Sequence, residues 1–393
     1  MISECHTIDP ACGPDAFSQG TPHQCLTVFR GSVGMIPTPY LSIDVRVVQR
    51  NLQRMQDYVD AHGISLRPHT KTHKSTVFGR MQLETGSCGL TVAKAGEAEV
   101  MAGICDDILV AYPAADPLRA AKIARIASER TIRVAIDSSW AAKNLDAAAK
   151  SAGSIIGILV DYDVGMGRTG TQSPVESLEL AQLVDRLPGL RLDGMMIYPG
   201  QVWDLPDQQT GSMSQVSGKV AEALSLWRAH GLDAGIVSGG STPSAFQTHL
   251  IPEVTEIRPG TYIFNDMNTV RGGFCELDDC AACIVATVVS VAVSGQVVVD
   301  SGNKTLSMDR CIPALDSGHG HVVEYPDAVV NALSEEHGEI DVSRCESAPR
   351  LGDRISIIPN HVCPVVNLHD RVWLCDGDGE PEPVPVEARG RLF

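Results

Sequence analysis

Residues 131–163, TIRVAIDSSWAAKNLDAAAKSAGSIIGILVDYD, contain two β-branched runs separated by an alanine-rich segment. Short apolar runs bounded by turn residues predict strands, and apolar positions every three or four residues between them predict a helix. The same strand-then-helix unit recurs about eight times along the first two thirds of the chain, the pattern of an α/β fold of the (β/α)8 TIM-barrel type. A doubly wound open sheet is the alternative, but no GxGxxG motif opens the series.

Composition and hydrophobic pattern divide the chain into three parts. Residues 1–35 are rich in Gly, Pro, Ser and Cys, and we expect an N-terminal arm there. Helical patterns fade after about residue 265, where strand-like runs such as CAACIVATVVSVAVSGQVVVDSG (280–302) take over. We therefore predict a barrel over residues 36–265 and a mostly-β domain over residues 266–393.

Composition excludes several classes of protein. The formal net charge of −17 argues against a nucleic-acid-binding protein, since such binding depends on basic side chains that neutralise phosphates. The sequence contains no run of about 18 apolar residues, so we predict no membrane span. The N-terminus lacks the pattern of a secretory signal. The twelve cysteines are scattered without a disulfide-like spacing, which is typical of reduced thiols in a cytoplasmic protein.

The lysine stretch, LRPHTKTHKS at residues 66–75, follows the second predicted strand. Barrel enzymes carry their chemistry at the C-terminal ends of the strands, so this stretch is a candidate catalytic segment. Strand alternation puts His69 and Lys71 on one face, while Lys74 lies beyond in the loop. We expect neighbouring cations to lower the pKa of Lys71 and so make it reactive, namely Arg67, His73 and Lys74. A solvated basic loop is the alternative interpretation.

Other polar residues also stand at predicted strand ends. Arg168 lies between glycines in DVGMGRTG (163–170), and Tyr198 ends the strand GMMIY. Tyr262 follows in EIRPGTYIF, which we predict as a further strand. All three are candidates to line the site.

The glycine turn, SGGST at residues 238–242, ends the strand that contains IVSG. Two glycines allow close backbone approach, successive N–H groups form an anion-binding nest, and the hydroxyls add donors, in the part of a barrel where phosphates often bind. The candidate ligands are Gly239, Gly240, Ser241 and Thr242. An ordinary tight turn with a helix cap is the alternative. Together with a lysine at a strand end, the turn suggests pyridoxal phosphate (PLP), because a lysine amine can bind the aldehyde of this cofactor.

A His–Cys pair, His361 and Cys363, lies in DRISIIPNHVCPVV, which we predict as a strand. Alternation would point both side chains to one face, and imidazole with thiolate is a good zinc-binding combination. Two protein ligands leave coordination positions open for water and substrate, which suits catalysis. A packed histidine and cysteine at a strand end is the alternative.

These stretches together resemble the fold-type III PLP enzymes with an alanine-racemase-like barrel, in the branch of D-threonine aldolases and eukaryotic-type D-serine dehydratases. The resemblance extends over nearly the whole chain from Thr38 to Gly390. The motifs that carry it, in order, are TPYLSID, RPHTKTHK, DVGMGRTG, VSGGSTPS, EIRPGTYIFND, DSGNKTLS, SEEHG, PNHVCPVVNLHD and VEARGR. It implies that Lys71 holds the PLP aldehyde and that the glycine turn binds the phosphate, with Tyr262 nearby. It also implies that Arg168 faces the cofactor ring.

The resemblance further implies that the His–Cys pair binds a divalent metal. Family members with His-x-Asp are typically aldolases that take manganese or magnesium, whereas His-x-Cys is typical of zinc-dependent dehydratases. Thiolate favours zinc over harder ions, so we expect zinc, with manganese or magnesium as alternatives. The motifs RPGTYIFND and PVVNLHD nevertheless look closer to the bacterial D-threonine-aldolase-like group.

The expected function is a PLP- and metal-dependent lyase acting on small D-β-hydroxy-α-amino acids, as a homodimer. In the favoured route His69 takes the hydroxyl proton, and an aldehyde leaves with glycine remaining. In the alternative route Lys71 takes the α-proton, and loss of water gives a keto acid and ammonia. A racemase is more distant, because it needs a second base and no tyrosine lies between Tyr262 and Tyr325. A one-domain PLP carrier would lack both the β domain and the His–Cys pair.

Overall fold

The strand–helix repeat folds as the sequence predicts. The structure is a computed structural model that describes residues 36–377 and 379–393, so the predicted arm at residues 1–35 lies outside the described residues. The strands of the first part are β1 (Tyr40–Asp44), β2 (Ser65–Leu66), β3 (Leu90–Val92), β4 (Asp107–Val110), β5 (Thr131–Ile136), β6 (Ile156–Tyr162), β7 (Leu190–Ile197), β8 (Ile236–Gly239) and β9 (Glu256–Ile257). The helices are α1 (Val45–His62), α2 (Thr76–Thr85), α3 (Ala95–Met101), α4 (Pro117–Ala127), α5 (Ser139–Ala152), α6 (Pro174–Asp185) and α7 (Thr210–Ala229).

Strands β2 to β9 form a barrel. They pair in the order β2-β9-β8-β7-β6-β5-β4-β3, and every pairing is parallel. A further parallel bridge between His69 and Thr91 joins the continuation of β2 to β3 and closes the ring. The predicted barrel is confirmed. Its strands are mostly buried, and β6 is buried along its whole length, because helices cover the outside of a parallel barrel.

Strand β1 belongs to the other sheet. It pairs antiparallel with β10 (Ala282–Ser290) and parallel with the later strand Arg371–Cys375. All of its residues are buried, so it needs cover on both sides. The predicted barrel segment 36–265 therefore contains one strand whose partners lie beyond residue 265.

The C-terminal part is mostly β, as predicted. After α8 (Met267–Arg271), its strands are β10, β11 (Gln296–Val299), β12 (His321–Val322), β13 (Val329–Leu333), β14 (Gly338–Asp341), β15 (Arg354–Ile358), β16 (Arg371–Cys375) and β17 (Glu382–Pro385). Two short helices interrupt them, α9 (Asn303–Leu306) and α10 (Val362–Leu368). The main path of the sheet is β13-β14-β11-β10-β1-β16-β17, and β15 pairs with both β10 and β12.

Two local predictions were wrong. The stretch around the His–Cys pair is not a strand: β15 ends before Pro359, which lacks a ladder donor, and α10 begins at Val362, whose N–H donates to Asp266 Oδ2 (3.0 Å). The predicted strand EIRPGTYIF is only β9 followed by a 3-10 turn at Thr261–Ile263, since Pro259 and Gly260 interrupt it. No helix in the described part of the chain is long and apolar enough to cross a membrane.

Candidate active site

A cavity of about 760 Å³ opens at the C-terminal ends of the barrel strands, between the barrel and the β domain. The predicted site residues that line it are His69, Lys71, Arg168, Tyr198, Gly240, Ser241, Thr242, His361 and Cys363. Gly239 and Tyr262 do not line the cavity. Gly239 ends β8 behind the turn, and Tyr262 is buried with its hydroxyl accepting a hydrogen bond from Gln82 Nε2 (3.4 Å). His69 and Cys363, nearly 300 positions apart in the sequence, thus line the same cavity.

The two lysines of the lysine stretch lie in different surroundings. Lys71 is exposed to the cavity, and its backbone N–H donates to Nδ1 of His69 (3.3 Å). Lys74 is buried and its Nζ lies 3.0 Å from Oε1 of Glu97, whose side chain is 1% exposed. Lys71 is therefore the amine that a ligand in the cavity can reach, and its attachment to PLP stays a prediction.

The structure does not support the expected activation of Lys71 by neighbouring cations. Arg67 is paired with Glu256 (2.9 Å) and Asp107 (2.7 Å), and Lys74 is paired with Glu97. Burial lowers the pKa of His73 to about 4, so its ring is neutral at pH 7. The positive charges of the stretch are compensated or absent where we expected them to act.

His69 is a neutral imidazole beside Lys71. Burial and the nearby charges of Lys71 and Arg258 hold the pKa of His69 well below its usual value. An uncharged ring is the form that can accept a proton. The role of His69 as a base stays a prediction.

The glycine turn has the geometry of an anion site. Gly240 has a φ of +81°, and a Cβ there would lie 3.0 Å from Cβ of Ile257. Within residues 36–377 and 379–393, the backbone N–H groups of Gly240, Ser241 and Thr242 have no hydrogen-bond acceptor. The hydroxyl of Ser241 contacts that of Ser244 (3.0 Å). Unpaired N–H groups at a close-approach turn fit a phosphate, because a nest of such donors binds anions.

The His–Cys pair lines the cavity at the start of α10, where Sγ of Cys363 lies 3.3 Å from Oγ1 of Thr72 in the lysine stretch. Burial lowers the pKa of His361, but the hydrogen bond to Cys363 and nearby negative charges outweigh it and raise the pKa to about 9. Burial raises the pKa of Cys363, but the hydrogen bond to His361 outweighs it and the net pKa is lowered. A thiol whose pKa is lowered is readily converted to the thiolate that binds metals.

No group of three or more metal-binding side chains occurs among the described residues. The pair would therefore hold a metal with only two protein ligands, leaving open positions toward the cavity. Imidazole and thiolate remain a donor set suited to zinc.

Two cavity residues were missed by the sequence analysis. Arg258 is buried and donates to Ser238 Oγ (2.6 Å) and to the carbonyl of Ile197 (2.9 Å), and burial lowers its pKa to about 10. Asp161 accepts from Thr169 Oγ1 (2.8 Å), and burial raises its pKa to about 6. Both lie at or just after a strand end, so the rule that selected Tyr198 would also have selected them.

Arg168 stacks on an aromatic neighbour. Its guanidinium carbon lies 4.8 Å from the centre of the Tyr198 ring, a cation–π contact. The contact links the loop after β6 to the end of β7. It places a positive charge at the cavity wall, which Asp161 also lines.

Comparisons with known proteins agree with this architecture. Residues 43–268 match the family profile of the alanine racemase N-terminal domain, and residues 281–375 match that of a putative serine dehydratase domain. A D-threonine aldolase from Arthrobacter sp is 31% identical over 344 residues, covering 85% of this chain and 88% of that protein. The D-threo-3-hydroxyaspartate dehydratase of Delftia sp. (strain HT23) is 32% identical over 349 residues, covering 84% and 91%.

A solved structure is similar over almost its full length. The crystal structure of D-threonine aldolase from Filomicrobium marinum has a TM-score of 0.84 at 30% identity, covering 91% of this chain and 97% of that one. The two domain profiles, in this order, and relatives above 30% identity over most of the chain place it in a single family. The chain belongs to the fold-type III PLP-dependent enzymes with an alanine-racemase-like barrel, in the group of D-threonine aldolases and D-serine dehydratases.

Proposed function

We propose that the protein is a PLP- and divalent-metal-dependent lyase that cleaves D-β-hydroxy-α-amino acids into glycine and an aldehyde. The observation that carries this proposal is the shared cavity, which the Lys71 amine, the glycine turn and the His–Cys pair all line. An amine, an anion site and a metal-binding pair around one space fit an amino-acid substrate whose hydroxyl lies near a metal.

The residues present fit PLP. The unpaired N–H groups of Gly240, Ser241 and Thr242 would hold its phosphate, and Lys71 would hold its aldehyde carbon. Arg258 and Arg168 place positive charge around the same cavity. When bound, PLP supplies an electron sink for the bond that breaks at the substrate α-carbon.

The His–Cys pair would hold the metal, and a metal bound there would supply polarisation of the substrate β-hydroxyl. Zinc fits the thiolate of Cys363 best, with manganese or magnesium as alternatives. Neutral His69 would accept the hydroxyl proton at Nδ1, in exchange for the long hydrogen bond that Nδ1 now accepts from the Lys71 N–H (3.3 Å). Removal of the hydroxyl proton directs cleavage to the Cα–Cβ bond, whereas removal of the α-proton by Lys71 directs loss of the hydroxyl.

A dehydratase is the second candidate, and Cys363 is the residue that favours it. The Delftia dehydratase has been solved with a histidine and a cysteine, two positions apart, each replaced by alanine, the cysteine mutant in a metal-free form. The spacing equals that of His361 and Cys363. The aldolase relatives at comparable identity support cleavage of the carbon–carbon bond instead.

The test is incubation of PLP-loaded enzyme with D-threonine, D-serine and D-threo-3-hydroxyaspartate, with and without a chelator. Glycine and keto acid are assayed separately. Glycine with an aldehyde, lost on chelation, is the expected result, and keto acid with ammonia would replace the proposal by the dehydratase. If an enzyme loaded with both PLP and metal forms neither glycine nor keto acid, both functions are refuted.

We also propose a cytoplasmic homodimer. Every cysteine of the described residues is unpaired, which supports a reducing compartment. Sedimentation equilibrium of the purified protein tests the dimer, and a monomer mass across the micromolar range would contradict it.

A further inference from the structure

We propose that Asp309 is a positioning residue for the His–Cys pair, fixing the His361 ring so that its Nε2 stays free for the metal. The inference rests on the proposed function only in requiring a metal at this pair. Oδ2 of Asp309 lies 2.8 Å from Nδ1 of His361, although the two residues are 52 positions apart. A carboxylate on the second ring nitrogen fixes both the tautomer and the orientation of a metal-binding histidine.

Asp309 is itself held in place by its loop. This loop, residues 307–317, begins at Ser307, which has a φ of +65°. The Asp309 N–H donates to Ser307 Oγ (3.2 Å), so the left-handed residue turns the backbone and also anchors the aspartate. A non-glycine residue in this conformation costs energy and persists only where its surroundings enforce it.

The residue next to the histidine holds the same loop from the other side. Asn360 is 3% exposed, and its Nδ2 donates to the carbonyls of Asp309 (3.1 Å) and Gly318 (2.9 Å). Further along the loop, the N–H of Ile312 donates to Asn268 Oδ1 (2.7 Å). Asn360 therefore ties the backbone that carries the histidine to the loop that carries the aspartate, and Asn268 of α8 holds that loop a few residues further on.

The geometry distinguishes positioning from direct ligation. Asp309 does not form a three-member metal-binding group with His361 and Cys363 in the described part of the chain. Its carboxylate contacts Nδ1 of the His361 ring directly. A further metal ligand would instead direct its carboxylate at the metal. Asp309 thus acts through His361.

The test is metal binding to PLP-loaded, metal-stripped protein, measured by competition of Zn²⁺ alone against a chromophoric chelator. Asp309→Ala is expected to weaken Zn²⁺ binding by about 10- to 100-fold, the usual effect of removing such a partner. Asp309→Asn, which keeps a hydrogen-bond acceptor without the charge, is expected to fall between Asp309→Ala and the wild type. Asp316→Ala removes an exposed carboxylate from the same loop and is expected to leave Zn²⁺ affinity unchanged.

Thermal unfolding and the PLP absorbance band are recorded for each variant, and both are expected to match the wild type. Zn²⁺ affinity equal to the wild type in both Asp309 variants would overturn the positioning role alone. Equal losses in the Asp309 and Asp316 variants would also overturn it, as a general charge effect. A wild-type protein that binds no Zn²⁺ would overturn the metal part of the proposed function together with this inference.

Discussion

Lys71 and Lys74 are three residues apart, yet only one of them is available for chemistry. Lys74 is committed to Glu97 in a buried ion pair, while Lys71 faces the cavity. Burying two charges costs desolvation energy, which their mutual attraction recovers only while both partners remain. The pair therefore holds the loop in shape, and the neighbouring lysine is left exposed at the site.

Substitution of the two lysines should have opposite consequences. Lys71→Ala is expected to abolish the visible absorbance of lysine-bound PLP and the lyase activity, with little change in stability. Lys74→Met should keep the absorbance but lower the free energy of unfolding by about 3–5 kcal/mol, because the buried carboxylate of Glu97 loses its cation and keeps only the backbone N–H of Ala93 (2.7 Å). Absorbance spectra and denaturant titrations check both, and Lys74→Met/Glu97→Gln should recover part of the loss. A coloured, active Lys71→Ala protein would contradict the assignment.

His73 should make the fold sensitive to acid. Burial lowers its pKa to about 4, while an unfolded chain has a histidine pKa near the usual 6.5. The unfolded state therefore binds the proton first, and stability should fall by about 3 kcal/mol as the pH drops from above 6.5 to below 4. Asp161 acts in the opposite direction, since its folded pKa is raised to about 6 and stability is gained as the pH falls through that value.

The two effects separate in an Asp161→Asn background. Adding His73→Gln should reduce the loss of unfolding free energy between pH 6.5 and 4 by about 3 kcal/mol, as measured by urea denaturation at several pH values. A difference between the two proteins that is constant with pH would show that His73 does not titrate in this way.

At the level of elements, the barrel could be predicted because its signal is local. Each strand and helix of residues 131–163 is specified by its own periodicity and turn residues. Strand β1 has the same local texture, but its partners β10 and β16 lie some 240 and 330 residues away, and no local pattern indicates them. The helical start of α10 depends on Asp266 accepting from Val362, another contact that local sequence does not reveal.

The candidate site divides in the same way. Lys71 and the glycine turn follow from strand ends and backbone chemistry alone. Arg258 and Asp161 are charged residues in or beside buried strands, and their roles become visible only with their neighbours Ser238 and Thr169. The sequence pattern shows which residues lie at strand ends, whereas the pKa of a charged side chain depends on the residues that it contacts.

The turn after β8 offers a test at this scale. Gly240→Ala places a Cβ 3.0 Å from that of Ile257 at a φ of +81°, so the turn must shift. We expect the free energy of unfolding to fall by about 1–3 kcal/mol and PLP to bind at least about tenfold more weakly, because the N–H groups move. Gly218→Ala within α7, where a Cβ meets nothing within 4 Å, should be neutral or slightly stabilising. PLP titration and denaturation measure both, and unchanged PLP affinity in Gly240→Ala would contradict the phosphate assignment.

Across the whole molecule, each part of the chain contributes a segment to the other. Strand β1 enters the C-terminal sheet, and the segment after β17 returns to the barrel, where the N–H of Ala388 donates to the carbonyl of Lys74 (2.9 Å). Glu387 next to it accepts from the backbone N–H (3.0 Å) and the hydroxyl (2.6 Å) of Thr76. Both contacts fall within or just after the lysine stretch. The C-terminal segment therefore helps to hold the loop that carries Lys71.

Glu387→Ala should reveal this coupling. It removes two hydrogen bonds at the start of α2, so we expect the free energy of unfolding to fall by about 1–3 kcal/mol and PLP affinity to fall with it, since the Lys71 loop loosens. Burial raises the pKa of Glu387, but the bonds to Thr76 outweigh it and lower the pKa. The stabilisation should thus be present at neutral pH and fade as acid protonates the carboxylate, so wild type and variant should converge below its pKa.

Glu382→Ala, at an exposed position of β17, is the matched control and should change neither quantity. Loss of stability in Glu387→Ala with unchanged PLP affinity would mean that the barrel holds Lys71 without help from the C-terminal segment.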